Sequence, residues 1–185
     1  MLPEGRYDLV EPSGAARAVL ALHPHPDMGG DRFNPVVDAV FRAAVGRGWA
    51  AIRPDLSSSD LAVAGREAAD ALALLPAGLP ATVVGYSFGA VVACGLVDPR
   101  ITGWVLVAPP FGARFDGATA PIGPDPRPKL VLAAAHDQYS PPARVGEATG
   151  AWEATESEEI PGADHFLAGA TGRVAERACD WIAGS

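Results

Sequence analysis

Ala81-Thr82-Val83-Val84-Gly85-Tyr86-Ser87-Phe88-Gly89-Ala90 is the stretch on which the reading of the whole chain depends. Thr82, Val83 and Val84 are β-branched, and such a run suits a strand covered on both faces. Ala90, Val91, Val92, Ala93 and Cys94 then read as a helix of small residues, uninterrupted by proline. Between the two stands Gly-x-Ser-x-Gly. A strand that becomes a helix this abruptly brings the positions two before and two after Ser87 almost into contact. A side chain at either would collide with its neighbours, so both are glycine. The turn sets the Ser87 hydroxyl at the carboxyl end of a central strand and at a helix amino terminus. Taken alone, the same residues also fit a glycine-rich turn whose serine merely caps the helix.

Working outward, apolar strand patterns alternate with helical ones. Residues 6–10 suit an edge strand, and residues 17–22 a buried strand ending in His23-Pro24-His25-Pro26. After the loop Asp27-Met28-Gly29-Gly30-Asp31, Asn34 can cap a helix with Pro35 at its first position. Val36, Val37, Val40, Phe41 and Ala44 form its apolar face, and Gly48 ends it. Residues 49–53 read as a strand and Pro54-Asp55-Leu56 as a loop. Ser57-Ser58-Ser59-Asp60 leads into a helix with Leu61, Ala64, Ala68, Ala71, Leu72 and Leu75 inward. Downstream of the serine, strands are expected at 102–108, 129–134 and 155–160, with helices at 142–148 and 172–183. Residues 109–127 are rich in Gly and Pro and carry no helical period. No repeat or linker divides the chain. The expectation is one α/β domain over 1–185, with a mainly parallel sheet of about seven strands and helices on both faces.

Composition narrows the chemistry. The chain has 185 residues, 49% of them hydrophobic and 19% charged, ordinary values for a globular protein that buries a core. Its 14 Lys and Arg against 22 Asp and Glu give a net charge of -8, and an acidic surface repels phosphate backbones, so nucleic acid is not expected as a partner. Lys129 is the only lysine. The first residues lack a positive stretch followed by an apolar core, and no apolar run is long enough to cross a bilayer. A cytoplasmic protein without membrane contact is expected. Cys94 and Cys179 sit in apolar helical patterns without metal-type spacing and read as buried, reduced and structural.

In a parallel sheet covered on both faces, ligands gather at the carboxyl ends of the strands. His23, His25, Asp55, Ser87, Pro109, Asp137 and His165 each follow an expected strand. A serine hydroxyl at neutral pH needs a base in hydrogen-bond reach, and the base needs an acid to hold its tautomer. The order Ser87, Asp137, His165 supplies all three. Asp164 adjoins His165, and adjacent side chains generally point apart. Asp116 and Asp125 lie in the irregular stretch, a loose platform for an acid. His136 competes with Asp137 for one loop. An oxyanion would need backbone donors. Phe88 offers one amide, and among Pro24, His25 and Pro26 only His25 has an N–H to offer as the second. His23 and His25 with only Asp27 nearby make a weak metal site, so neither metal nor cofactor is expected.

These stretches together resemble the small, lidless bacterial α/β-hydrolases related to dienelactone hydrolase-like proteins and short-chain esterases. The resemblance rests on His23-Pro24-His25-Pro26 with Gly29-Gly30, Arg53-Pro54-Asp55, Gly85-Tyr86-Ser87-Phe88-Gly89, Val107-Ala108-Pro109-Pro110, His136-Asp137 with Pro141, and Pro161-Gly162-Ala163-Asp164-His165-Phe166. It covers residues 17–182 and implies a Ser87, Asp137, His165 triad with the His25 and Phe88 amides as oxyanion hole. Dienelactone hydrolases proper carry a cysteine nucleophile, so Ser87 departs from them and favours esterase chemistry. Leu56-Ser57-Ser58-Ser59 stands where larger members have a Gly-rich turn, and 109–127 is too short for a helical cap. The expected site is therefore open, walled by Met28, Phe111, Phe115, Tyr139 and Phe166, and takes small-molecule esters with small or flexible acyl groups. Thioesters, peptides and lactones remain variants of the same chemistry, and a hydrolase fold used only for binding is the alternative. Haloalkane or epoxide chemistry needs an Asp where Ser87 stands. A monomer is expected, or a homodimer formed through an exposed edge strand.

Overall fold

The structure, a computed structural model, describes residues 2–112 and 115–185. Strands β2 (Ala18–Leu22), β3 (Ala50–Pro54), β4 (Ala81–Tyr86) and β6 (Lys129–Ala134) are buried along their whole length. Strand β5 (Ile101–Val107) is buried at all but one residue. Such runs fit only the inside of a sheet covered twice. The more polar β1 (Tyr7–Val10) and β7 (Thr155–Ile160) take the two edges. Among the described residues these make a seven-stranded sheet in the order β1-β3-β2-β4-β5-β6-β7. Only β1 runs antiparallel, with Tyr7 opposite Pro54. At the far edge, Glu156 and Glu158 of β7 turn towards α5 (Thr171–Gly184), where Arg177 and the Trp181 indole N–H meet them. An edge strand dressed in carboxylates is a poor template for further pairing.

The chain order places the helices. It lays down β2, steps to β3 through α1 (Pro35–Gly46), and returns past β2 to β4 through α2 (Leu61–Leu74). From there it advances through α3 (Phe88–Cys94) and α4 (Pro142–Thr149). Right-handed crossovers put helices on opposite faces when the direction of travel reverses. Accordingly α1 and α5 share one core cluster, with Val37, Val40, Phe41, Val174, Ala178 and Ile182. Residues of α2, α3 and α4 share the other, with Ala64, Ala68, Leu72, Val92 and Val145. The reversal falls between β2 and β4, the position beside whose carboxyl ends ligands bind in open α/β sheets.

Local capping follows the sequence. The Asn34 side chain accepts from the Val36 amide, Pro35 opens α1, and Gly48 follows it at φ 76°. Asp60 caps α2 through Ala62 and Val63. Leu61 differs from expectation: it is 46% exposed, because it belongs to the first turn of α2, before the helix has come over the sheet. The 109–127 stretch holds a short 3-10 turn, Gly117–Thr119, capped by Asp116. Residues 113 and 114 within it lie outside the described residues. No cap domain rises over the sheet among the described residues, and none of their helices is long and apolar enough to cross a membrane. Cys94 and Cys179 are free and buried, and burial raises the pKa of both thiols.

Candidate active site

The turn at Ser87 is as tight as its glycines require. A Cβ on Gly85 would stand 2.6 Å from the Ala90 nitrogen, and one on Gly89 2.6 Å from the Leu22 carbonyl carbon. Ser87 itself takes φ 52° and ψ -115°, a conformation that costs a non-glycine residue free energy and survives only where its surroundings impose it. Here they do: the Ser87 amide donates to the Val107 carbonyl at 2.9 Å, and its carbonyl accepts from Ala90 at 2.9 Å. Phe88 and the residues after it are buried against the sheet.

Asp137 follows β6 and His165 follows β7, and both are brought to Ser87. The Ser87 Oγ lies 2.9 Å from His165 Nε2, and His165 Nδ1 lies 2.7 Å from Asp137 Oδ2. A carboxylate only accepts, so Nδ1 carries the ring proton and Nε2 is left to accept from the serine. Asp137 Oδ1 accepts from the Tyr139 and Ser140 amides at 2.8 and 3.0 Å. Burial pushes this carboxyl up, but the bonds from His165, Ser140 and Tyr139 outweigh it and hold it below its ordinary value. Tyr86, the residue before the serine, donates its hydroxyl to the His165 carbonyl at 2.9 Å. Burial pushes the Tyr86 phenol up to about 12, so it stays a donor throughout the neutral range.

The other acids and the other base lie elsewhere. Asp164 is exposed and spends Oδ1 on the Phe166 amide. Asp116 caps its 3-10 turn, Asp125 pairs with Arg127, and His136 is exposed.

The loop after β2 folds back on itself. The His25 carbonyl accepts from Met28 and Gly30, and a Cβ on Gly30 would stand 2.6 Å from the Pro24 carbonyl carbon. The His25 ring lies 5.1 Å from that of Phe88, which places the two residues with candidate amides side by side. Phe88 opens α3, so its N–H has no carbonyl a turn earlier to bond. His23 acts as a strut: its Nε2 accepts from the Leu56 amide at 2.7 Å, and Nδ1–H donates to the Pro24 carbonyl at 2.6 Å. Burial lowers its pKa and keeps it neutral, and with both nitrogens engaged it has none to give a metal. Asp55, at the end of β3, receives the Arg32 amide at 3.0 Å and the Arg32 guanidinium, tying the far end of the same loop to the sheet. The sequence placed Asp55 at the carboxyl end but gave no sign of this partner, 23 residues away.

The five expected wall residues separate. Tyr139 and Phe166 stand beside His165, 50% and 57% exposed, with ring centroids 4.8 and 5.9 Å from its own. Met28 is 74% exposed on the His25 loop. Phe111 instead points inward: it is fully buried between Trp152 and Phe115, both at 5.7 Å, so it is a core residue and not a wall. Phe115 goes with it, half-buried against that core.

No protein-family model matches the sequence, and a comparison with curated protein sequences finds no match. Solved structures do match. An α/β serine hydrolase homologue from Coxiella burnetii superposes with a TM-score of 0.81 at 21% identity, over 92% of this chain and 88% of that one. A protein of unknown function from Agrobacterium tumefaciens, described as a putative α/β hydrolase, gives 0.79 at 25% identity over 95% and 88%. A serine hydrolase without lid from Xanthomonas campestris gives 0.74 at 22% identity over 95% and 87%. With its sheet order and crossovers, and with no cap domain among the described residues, this chain has the α/β-hydrolase fold in its small, lidless form.

Proposed function

We propose that the protein is a serine hydrolase that cleaves small carboxylic esters through an acyl-enzyme on Ser87. The observation that carries this reading is the continuous run from Asp137 Oδ2 through His165 to Ser87 Oγ, at 2.7 and 2.9 Å, ending on a serine held at positive φ. A binding protein would have no use for such an arrangement.

In this reading His165 Nε2 takes the Ser87 proton as Oγ attacks the ester carbonyl carbon. Asp137 holds the imidazole tautomer and stabilises the imidazolium. The Phe88 and His25 amides receive the oxyanion. Collapse of the tetrahedral intermediate breaks the ester C–O bond, and His165 returns the proton to the departing alcohol. Water, deprotonated by His165, then attacks the acyl-enzyme and releases the acid and Ser87. No cofactor is needed. The chain works as a single domain on a small ester, with Met28, Tyr139 and Phe166 around the opening.

The test is hydrolysis of p-nitrophenyl acetate and butyrate, with fluorophosphonate labelling mapped by mass spectrometry. Turnover and a label at Ser87, both lost in Ser87→Ala, are the expected result. A folded wild-type protein showing neither overturns the proposal in favour of a binding role.

A further inference from the structure

We propose that Tyr139 and Phe166 form the subsite for the departing alcohol, and that the substrates are esters whose alcohol carries an aromatic ring. This rests on the serine hydrolase reading and says which side of the ester the enzyme selects.

Two ring groups belong to the site. His25 and Phe88 pack at 5.1 Å, and their amides are assigned to the carbonyl oxygen of the ester. His165, which bonds the Ser87 hydroxyl, packs with Tyr139 and Phe166. Tyr139 meets His165 at 70°, Phe166 meets it at 85°, and the two aromatic rings lie 6.4 Å apart at 87°. These are edge-to-face arrangements, which leave ring faces free for a further ring. About half of each side chain is in water, although large aromatic side chains gain most by burial.

The reaction decides what belongs there. The proton that leaves Ser87 for His165 Nε2 must pass to the alkoxy oxygen as the C–O bond breaks. That oxygen therefore sits at Nε2, and its substituent is the part of the ester nearest the rings around His165. The backbone that carries each ring is tied down: the Tyr139 amide donates to Asp137, the residue that bonds His165, and the Phe166 amide donates to Asp164. An aromatic alcohol group covers both rings, whereas an ethyl group covers little of either.

The experiment compares kcat/KM for benzyl acetate and ethyl acetate, two unactivated esters with one acyl group. Benzyl acetate is expected to be preferred by about tenfold, and Phe166→Ala or Tyr139→Ala each to lower that preference by about three- to tenfold. Tyr139→Phe keeps the ring and holds the preference within about twofold of wild type. The preference for ethyl phenylacetate over ethyl acetate, with the ring on the acyl side, moves in neither alanine variant. Both side chains are half exposed, so truncation leaves the core intact, which thermal melting checks. An active, Ser87-labelled enzyme with no benzyl preference, or with equal losses on both alcohols, overturns the subsite alone. Failure of every ester together with an unlabelled Ser87 overturns the hydrolase reading and the subsite with it.

Discussion

Strand β6 carries a buried charge at each end. Lys129 opens it, fully buried, with its ammonium donating to the carbonyls of Asp125, Arg127 and Glu153 at 2.6, 2.8 and 2.8 Å. Asp137 follows its other end, 3% exposed, and accepts from Tyr139, Ser140 and His165. Both charges are removed from water and both receive hydrogen bonds in return, as burial of an ion demands. What separates them is the nature of the partners. The carbonyls around Lys129 can neither titrate nor turn away, so that end of the strand is locked. One partner of Asp137 is an imidazole whose second nitrogen faces a serine held at positive φ. The same remedy for a buried charge thus makes a fastening at one end and, in the proposed reaction, a proton path at the other.

The largest test of this contrast removes the charge at the working end. Asp137→Asn keeps the side-chain volume but loses the anion that orients and stabilises His165, so kcat is expected to fall by about 10⁴-fold in ester turnover assays. The fold should persist by circular dichroism. The opposite signature is expected at the locked end. Lys129→Met leaves carbonyls without donors and should lower the unfolding free energy by about 3 kcal/mol in denaturant titrations. Its kcat per folded molecule should stay within about twofold of wild type, since Lys129 lies at the far end of the strand from Ser87. A Lys129→Met enzyme that melts like wild type but turns over slowly would erase the distinction.

The smallest effect concerns acid. The Arg127 guanidinium holds the Asp125 carboxyl down at about 2. A carboxyl depressed in the folded state contributes stability that is fully present above its unfolded value and is lost as pH falls through the folded one. Stability should therefore decline from about pH 4 towards pH 2. Asp125→Asn should be less stable at neutral pH and show a shallower decline across that window, read from melting temperatures.

Where the chemistry is local, it could be read from the chain. Gly85 and Gly89 announce the turn at Ser87 because each clash involves residues within a few positions or a neighbouring strand. Asp137 follows the apolar run of β6, which itself places it at the carboxyl end, whereas His165 follows the polar edge strand β7 and was placed by its position after the last expected strand. The mainly parallel sheet covered on both faces needed only the alternation of patterns and the handedness of crossovers, while the order of its strands came from the structure. What escaped depends on distance along the chain. Tyr86 and His165 are 79 residues apart, His23 and Leu56 33, and nothing in either neighbourhood announces the other. Phe111 sits in a stretch without period, so no stripe distinguished inside from outside. Leu61 had the right spacing, and only the position of the helix end relative to the sheet exposed it.

Lys129 has a consequence beyond the strand that it anchors. It is the only lysine in the sequence, and no part of it reaches the surface. The folded protein therefore presents no lysine amine to succinimidyl dyes, aldehyde fixatives or conjugating enzymes. Reaction at Lys129 requires the chain to open first. Modification read at Lys129 itself would act less as a surface stain than as a clock, counting how often the base of the sheet comes apart.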